Sequence, residues 1–193
     1  MLSLKKSLEI LRKTNALLEG HFILSSGLHS PSYVQCAKLL SYPHLSKSIC
    51  LSLSKKIKKS FKRIDLILTP AMGGIVIGYE IGRLLKKETI FSERVDGKFV
   101  LRRDFLIKKN QRVIVVEDVI TTGKSSLECS NIIQKMGGKI VGYACIIDRS
   151  NGKSLIKDKI VSQVQLSIPT YTKENLPKEL IRIDAIKPGS RNL

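Results

Sequence analysis

The sequence predicts an α/β fold, a mainly parallel sheet with helices on both sides, and three observations predict it. Ile64-Asp65-Leu66-Ile67-Leu68, Val113-Ile114-Val115-Val116 and Ile140-Val141-Gly142-Tyr143-Ala144-Cys145-Ile146-Ile147 are short runs apolar on both faces, the pattern of strands buried between helix layers. Helical stretches lie between them at residues 74–85 and 125–136, the second with Gly137-Gly138 as its stop. Strand, helix, strand, helix, strand in that order argues for parallel pairing.

The other elements follow in chain order. Leu4, Leu8 and Leu11 recur at helical spacing, and Gly20 is the expected C-terminal cap. Residues 22–24 and 33–36 flank Ser25-Ser26-Gly27-Leu28-His29-Ser30-Pro31, a turn-rich stretch that reads as a hairpin or an irregular two-stranded piece. Ser41 is the expected cap of a second helix with Pro43 in its first turn. Leu45, Ile49, Leu53 and Ile57 then fall four apart, and Lys47, Lys55, Lys56, Lys58 and Lys59 form a basic outer face. Between the first two buried strands, residues 89–94 and 98–103 flank Val95-Asp96-Gly97. A D-G pair between β-prone segments signals a hairpin, expected to project from the sheet as a flap over 89–103.

The 193 residues suit one domain, 1–193, and no repeat, low-complexity tract or Pro/Gly/Ser-rich linker divides them. No apolar run reaches the ~20 residues of a membrane span. The N-terminus breaks its apolar residues with charges and lacks the apolar core of a secretory signal. Cys36, Cys50, Cys129 and Cys145 are scattered, without a C-x-x-C pair. They read as reduced thiols used as small apolar side chains, which suits the cytoplasm. The net charge is +18, from 34 Lys and Arg against 16 Asp and Glu. The lysines are spread along the chain and read as a solvated surface, compatible with a polyphosphate substrate but not diagnostic of one.

The densest chemistry is the run Glu117-Asp118-Val119-Ile120-Thr121-Thr122-Gly123-Lys124-Ser125-Ser126 after the second buried strand. The strand brings two carboxylates to its C-terminal edge, where open α/β sheets bind ligands. The loop then opens a helix whose free N–H groups and dipole suit a phosphate. Gly123 permits close approach, and Thr121, Thr122, Ser125 and Ser126 offer hydroxyl donors. Two acids beside a phosphate cradle would repel phosphate alone. A phosphorylated ribose accounts for both, its hydroxyls going to the acids and its phosphate to the loop. A P-loop would need glycine at Asp118, and no G-x-G-x-x-G occurs. Arg149 ends the third strand on the same edge, where a guanidinium suits a carboxylate ligand. His21, His29 and His44 are isolated in sequence and read as structural.

Residues 113–126 resemble the PRPP-binding signature of the type I phosphoribosyltransferases, PRPP being phosphoribosyl pyrophosphate. Gly20-His21-Phe22-Ile23-Leu24 with Ser25-Ser26-Gly27-Leu28-His29-Ser30-Pro31 resembles the orotate-binding region of the orotate phosphoribosyltransferases. Thr69-Pro70-Ala71-Met72-Gly73-Gly74 is similar to their pyrophosphate loop, and Phe91-Ser92-Glu93-Arg94-Val95-Asp96-Gly97-Lys98-Phe99 to the flap of one bacterial branch. The likeness runs from about residue 15 to Lys187-Pro188-Gly189. It implies the type I phosphoribosyltransferase fold, with a small N-terminal hood over 1–40, a PRPP-binding core over 64–150 and the hairpin flap. It implies a pentosyl transfer from PRPP to orotate with Mg2+ held mainly by PRPP and water, in pyrimidine (UMP) biosynthesis, by a homodimer whose flap reaches the neighbouring site. Binding of nucleic acid or membrane is not implied.

Carried over residue by residue, the likeness assigns PRPP to Arg94, Lys98, Glu117, Asp118, Val119, Ile120, Thr121, Thr122, Gly123, Lys124 and Ser125. It assigns pyrophosphate to Ala71, Met72, Gly73 and Gly74, orotate to Ser25, Ser26, Gly27, Thr121 and Arg149, and catalysis to Arg94, Lys98 and Asp118. The chain departs from the better-known branch in having Ser25 and Gly73 where that branch has lysines, and a tight hairpin where it has a longer loop. Arg102 and Arg103 at the hairpin's base are further candidates for neutralising pyrophosphate. Two other readings stay open: a purine phosphoribosyltransferase sharing residues 117–125, and a PRPP-sensing regulator that binds DNA through its basic surface. The lone N-terminal helix is too short for a helix-turn-helix, which weighs against the regulator.

Overall fold

A computed structural model describes residues 1–24 and 26–188. Its centre is a six-stranded sheet built from β3 (Leu66–Pro70), β4 (Glu88–Val95), β5 (Lys98–Leu101), β6 (Arg112–Ile120), β7 (Lys139–Asp148) and β8 (Ile160–Gln165), in the order β5-β4-β3-β6-β7-β8. All pairs are parallel except β4–β5. Around it lie α1 (Leu4–Lys13), α2 (Cys36–Leu40), α3 (Pro43–Ser60), α4 (Gly73–Leu85), α5 (Lys124–Lys135) and the short α6 (Lys178–Ile181). A separate hairpin, β1 (Leu17–Ile23) with β2 (His29–Val34), forms the hood.

The period of two along each strand divides the core into two layers. Ile67, Ile114, Val116, Ala144 and Ile146 face one layer with Ile49 and Leu53 of α3 and Ile77 and Ile81 of α4. Leu66, Leu68, Val113, Val115 and Tyr143 face the other with Cys129 and Ile133 of α5. Each fully buried aliphatic side chain contributes about 1.5–3 kcal/mol, so both faces are firmly held. Helices α4 and α5 therefore lie on opposite sides, and the chain reverses its order across the sheet between β3 and β6. That is the topological switch point, where the loops after two neighbouring strands part and leave a crevice.

Several expectations shift. Helix α1 ends at Lys13, where Thr14 Oγ1 bonds the Ile10 carbonyl at 2.9 Å and Asn15 turns left-handed at φ 55°. Gly20 instead sits at the bulge in β1, between Glu19 and Phe22. Ser41 caps the C-terminus of α2 and not the start of α3; Tyr42 takes that position, ahead of Pro43. The 89–103 hairpin is not wholly free of the sheet. Its first strand pairs with β3 from Glu88 to Ser92, and only the stretch past Ser92 extends beyond β3, backed by β5. Strand β8 adds an edge, and the C-terminal segment completes the hood through bridges Phe22–Ile186 and His29–Tyr171. Ser25 and Gly189 lie outside the described residues.

Candidate active site at the strand tips

Adjacent residues on a strand point to opposite faces, and this sorts the two acids at the end of β6. Glu117 follows Val113 and Val115 toward α5, where the Ser126 hydroxyl donates to its Oε2 at 2.7 Å. Asp118 follows Ile114 and Val116 toward α4, whose first residue is Gly73. A Cβ on Gly73 would stand 3.0 Å from both Asp118 carboxylate oxygens, so this glycine lets the acid lie against the backbone of the loop between β3 and α4. Asp118 Oδ1 also accepts the Val119 N–H at 2.9 Å, and its carbonyl accepts the Cys36 thiol at 3.8 Å. Glu117 is 7% exposed. Burial pushes its carboxyl up to about 7, opposed by the Ser126 hydrogen bond and reinforced by the Asp118 charge. Burial also raises Asp118, against the pull of the Val119 N–H.

The strand runs on to Ile120, whose side chain is core, so Ile120 can offer a ligand its backbone only. Thr121 and Thr122 are exposed at the loop. Gly123 is the N-cap of α5 at φ 80°, a left-handed conformation that favours glycine. A Cβ there would meet Ser154 Oγ at 2.7 Å and the Ile156 side chain at 2.8 Å. That neighbouring segment braces the loop, since Leu155 N–H and the Ser154 hydroxyl both donate to the Thr122 carbonyl, at 2.9 and 3.4 Å. The α5 N-terminus carries no side-chain cap from Gly123, and its opening N–H groups present an anion site. Lys124 is exposed and Ser125 half-buried on the first turn. Ser126, read in the sequence as a phosphate donor, is fully buried and has its single hydroxyl proton on Glu117.

On the other side of the switch point, Ala71, Met72, Gly73 and Gly74 link β3 to α4, with the Ala71–Met72 peptide cis. Beyond β6, pairing of Ile120 with Asp148 puts Arg149 beside Thr121, its N–H bonded to the Ile120 carbonyl at 2.8 Å. Arg149 does not pair with Asp148, whose Oδ1 takes the Ser150 N–H at 2.8 Å. The guanidinium is half-buried, burial lowers its proton affinity, and its Nε is buried without a hydrogen-bond partner. Tyr33 of the hood acts on it electrostatically, so β2 reaches this edge; no sequence signal had marked Tyr33. Ser26 and Gly27 are exposed on the hood turn, and no hydrogen bond among the described residues ties them to Arg149. The hood itself is pinned by a pair that sequence separation hid: His21 Nε2 and His29 Nδ1 are 2.6 Å apart, with His21 Nδ1–H on the Ile183 carbonyl at 2.9 Å.

The hairpin turns at Asp96 (φ 47°) and Gly97 (φ 78°), both left-handed as the D-G pair implies. Lys98 is exposed there and makes no ion pair among the described residues. Arg94 is engaged. Its guanidinium pairs with Glu128 of α5 at 3.0 Å, bonds the Gly97 carbonyl and lies 4.1 Å over the Phe99 ring. Arg103 and Arg102 pair with Glu93 at 2.8 and 3.8 Å. Two surface clefts, of about 390 and 590 Å3, open elsewhere, beside Tyr79 and Thr89 and beside Lys56 and Ser162. The strand-tip site is thus distinguished by its chemistry.

Residues 42–174 match the phosphoribosyl transferase domain model. The chain is 47% identical over 190 residues to the orotate phosphoribosyltransferase of Parvibaculum lavamentivorans, covering 98% of each. It is 46% identical over 187 residues to that of Methylorubrum extorquens, covering 96% of this chain and 95% of the relative. Among solved structures, orotate phosphoribosyltransferase from Aeropyrum pernix superposes with a TM-score of 0.70 at 26% identity, over 82% of this chain and 92% of that one. Adenine phosphoribosyltransferase from Thermoanaerobacter pseudethanolicus superposes at 0.61 with 16% identity, over 70% and 88%, which is a likeness of fold alone.

Proposed function

The chain belongs to the orotate phosphoribosyltransferases of the phosphoribosyl transferase family, and on that premise we propose how its site works. It transfers the 5-phosphoribosyl group of PRPP to N1 of orotate, giving orotidine 5'-phosphate and pyrophosphate for pyrimidine (UMP) biosynthesis. One observation carries the reading: two carboxylates on opposite faces of β6, at the switch point, run directly into the α5 helix mouth at residues 121–125, whose N-cap Gly123 has no side chain.

Breaking the bond from ribose C1 to pyrophosphate builds positive charge on the sugar and negative charge on the leaving group. Glu117 and Asp118 hold the ribose hydroxyls and favour the positive sugar. The backbone of residues 121–125, with the Thr121, Thr122 and Ser125 hydroxyls and the Lys124 charge, holds the 5-phosphate. The backbone at residues 71–74 takes the pyrophosphate. The buried, unpartnered Nε of Arg149 is a costly orphan, and the orotate carboxylate satisfies it, with Thr121, Ser26 and Gly27 on the same substrate. Ser25 has the same assignment but lies outside the described residues. Exposed Lys98 neutralises pyrophosphate, and Arg94 joins it on leaving Glu128. Mg2+, held mainly by PRPP oxygens and water, would supply further neutralisation of the pyrophosphate.

The hood, core and hairpin act as one domain on this substrate pair. Met72, Val76 and Tyr79 are 81%, 52% and 67% exposed along one face of α4, an apolar stripe that supports a homodimer. Among the described residues no helix is long and apolar enough to cross a membrane, and four free buried cysteines suit the cytoplasm. The assay is loss of orotate absorbance. Consumption that requires both PRPP and Mg2+ is expected; pyrophosphate release with a purine base but not with orotate would overturn the substrate assignment.

A further inference from the structure

A hydroxyl in the first turn of α5 has three places to go: outward to a bound phosphate, back onto its own helix, or across to the sheet. Ser126 takes the third. It is fully buried, and its Oγ lies 2.7 Å from Glu117 Oε2. One O–H carries one proton, so this hydroxyl is spent on the carboxylate and is not a phosphate donor. Its backbone is fixed from behind. The Ser126 carbonyl accepts the Ser130 hydroxyl at 3.1 Å, and Ser130 Oγ lies 2.6 Å from the Tyr143 hydroxyl. Since Ser130 has given its proton to the carbonyl, Tyr143 donates to Ser130. The chain of donors is therefore ordered, and the turn carrying Ser126 is pinned to β7.

We infer that Ser126 is a positioning residue of the ribose grip: its hydroxyl fixes Glu117 through Oε2 and leaves Oε1, which has no partner among the described residues, to accept from the ribose. This rests on the reading that Glu117 holds ribose. A buried carboxylate needs such a donor, because burial favours the protonated acid, which accepts hydrogen bonds poorly. The groups that face Glu117 give it no cation. From α5 come the Ser126 hydroxyl and the Cys129 thiol and from β7 the Cys145 thiol, while Asp118, on the other face of β6, adds only like charge. Burial raises both thiols, so they stay neutral. Ser126 is thus the group that opposes the combined effect of burial and Asp118.

The test is kcat/KM for PRPP against pH in wild type, Ser126→Ala, Glu117→Gln and the double variant, with thermal melting of the same samples. Ser126→Ala should lose about 5-fold at pH 7 and about 10-fold well below it, its acidic limb moving up by about one pH unit and its activity rejoining wild type at high pH. KM for orotate should not move. In the Glu117→Gln background, adding Ser126→Ala should change little, because the two act as one unit. An unmoved acidic limb, or the full loss repeated in the Glu117→Gln background, overturns the inference while leaving the ribose grip standing. Wild-type kcat/KM in Glu117→Gln overturns the grip itself and the inference with it. Should Ser126→Ala fail to fold, Ser126→Cys, a weaker donor, must move the limb in the same direction by less; no movement there is equally fatal.

Discussion

The tip of β6 and the hairpin formed by β4 and β5 both carry charge at the same edge of the sheet, but they are built in opposite ways. At the tip, the carboxylates are withdrawn from water and held by few donors: Ser126 on Glu117, and chiefly the Val119 N–H on Asp118. On the hairpin, the guanidiniums of Arg94, Arg102 and Arg103 are largely exposed and answered by Glu128 and Glu93. Ion pairs of that kind are worth about 0–1 kcal/mol and exchange partners cheaply. Burial therefore makes the tip a fixed device whose protonation is set by the fold. Exposure makes the hairpin a store of cations that a polyphosphate can reassign.

The largest effect expected is at the tip. Asp118→Asn should lower kcat by about 100-fold or more with the fold retained, because the side chain keeps its size against Gly73. Near-normal turnover would erase the contrast between the two regions. Glu117→Gln sharpens it by a different measurement. The Glu117 carboxyl is raised in the fold from its ordinary 4.5 to about 7. Ionising it therefore costs stability that is absent below about 4.5, grows as pH rises through this window and is complete above 7. The cost is roughly 3 kcal/mol at most. The glutamine variant should then be more stable than wild type to denaturant at pH 8 and no more stable near pH 4, while losing activity. Equal gains at both pH values would show that burial does not act on this carboxyl.

The hairpin should respond more gently. Lys98→Ala should lower kcat by about 10-fold with little change in orotate binding, since the lysine is exposed and acts on the leaving group only. Unchanged steady-state kinetics would remove it from the mechanism. Arg103→Ala, which breaks the pair with Glu93, should shift the unfolding free energy by less than about 1 kcal/mol. A larger loss would mean that the hairpin is as rigidly specified as the tip.

The same contrast governs what the sequence made legible. The runs that became β3, β6 and β7 are apolar at nearly every position, so both core layers could be read from them. The separation of Glu117 from Asp118 across the sheet follows from strand period alone once β6 is recognised. The turn at Asp96-Gly97 was legible because two successive left-handed residues leave few other choices. Strand β8 was not, because Ser162 and Gln163 interrupt its apolar pattern and Gln163 is buried through bonds to Ser7 and the Leu2 carbonyl. Nor was the partner of Ser126, which depends on α5 packing over the Glu117 face. The join of His21 to His29 and the capture of Arg94 by Glu128 depend likewise on register and docking, which local pattern does not carry.

The central claim is that the β6 tip and the α5 mouth grip one phosphorylated sugar from two sides, and a crystal soaked with ribose 5-phosphate tests it most directly. The account expects the phosphate on the backbone N–H groups of residues 121–125 and the ribose hydroxyls within hydrogen-bond distance of Glu117 and Asp118. A sugar bound elsewhere, or one held in the loop with both acids turned away from it, would contradict the account.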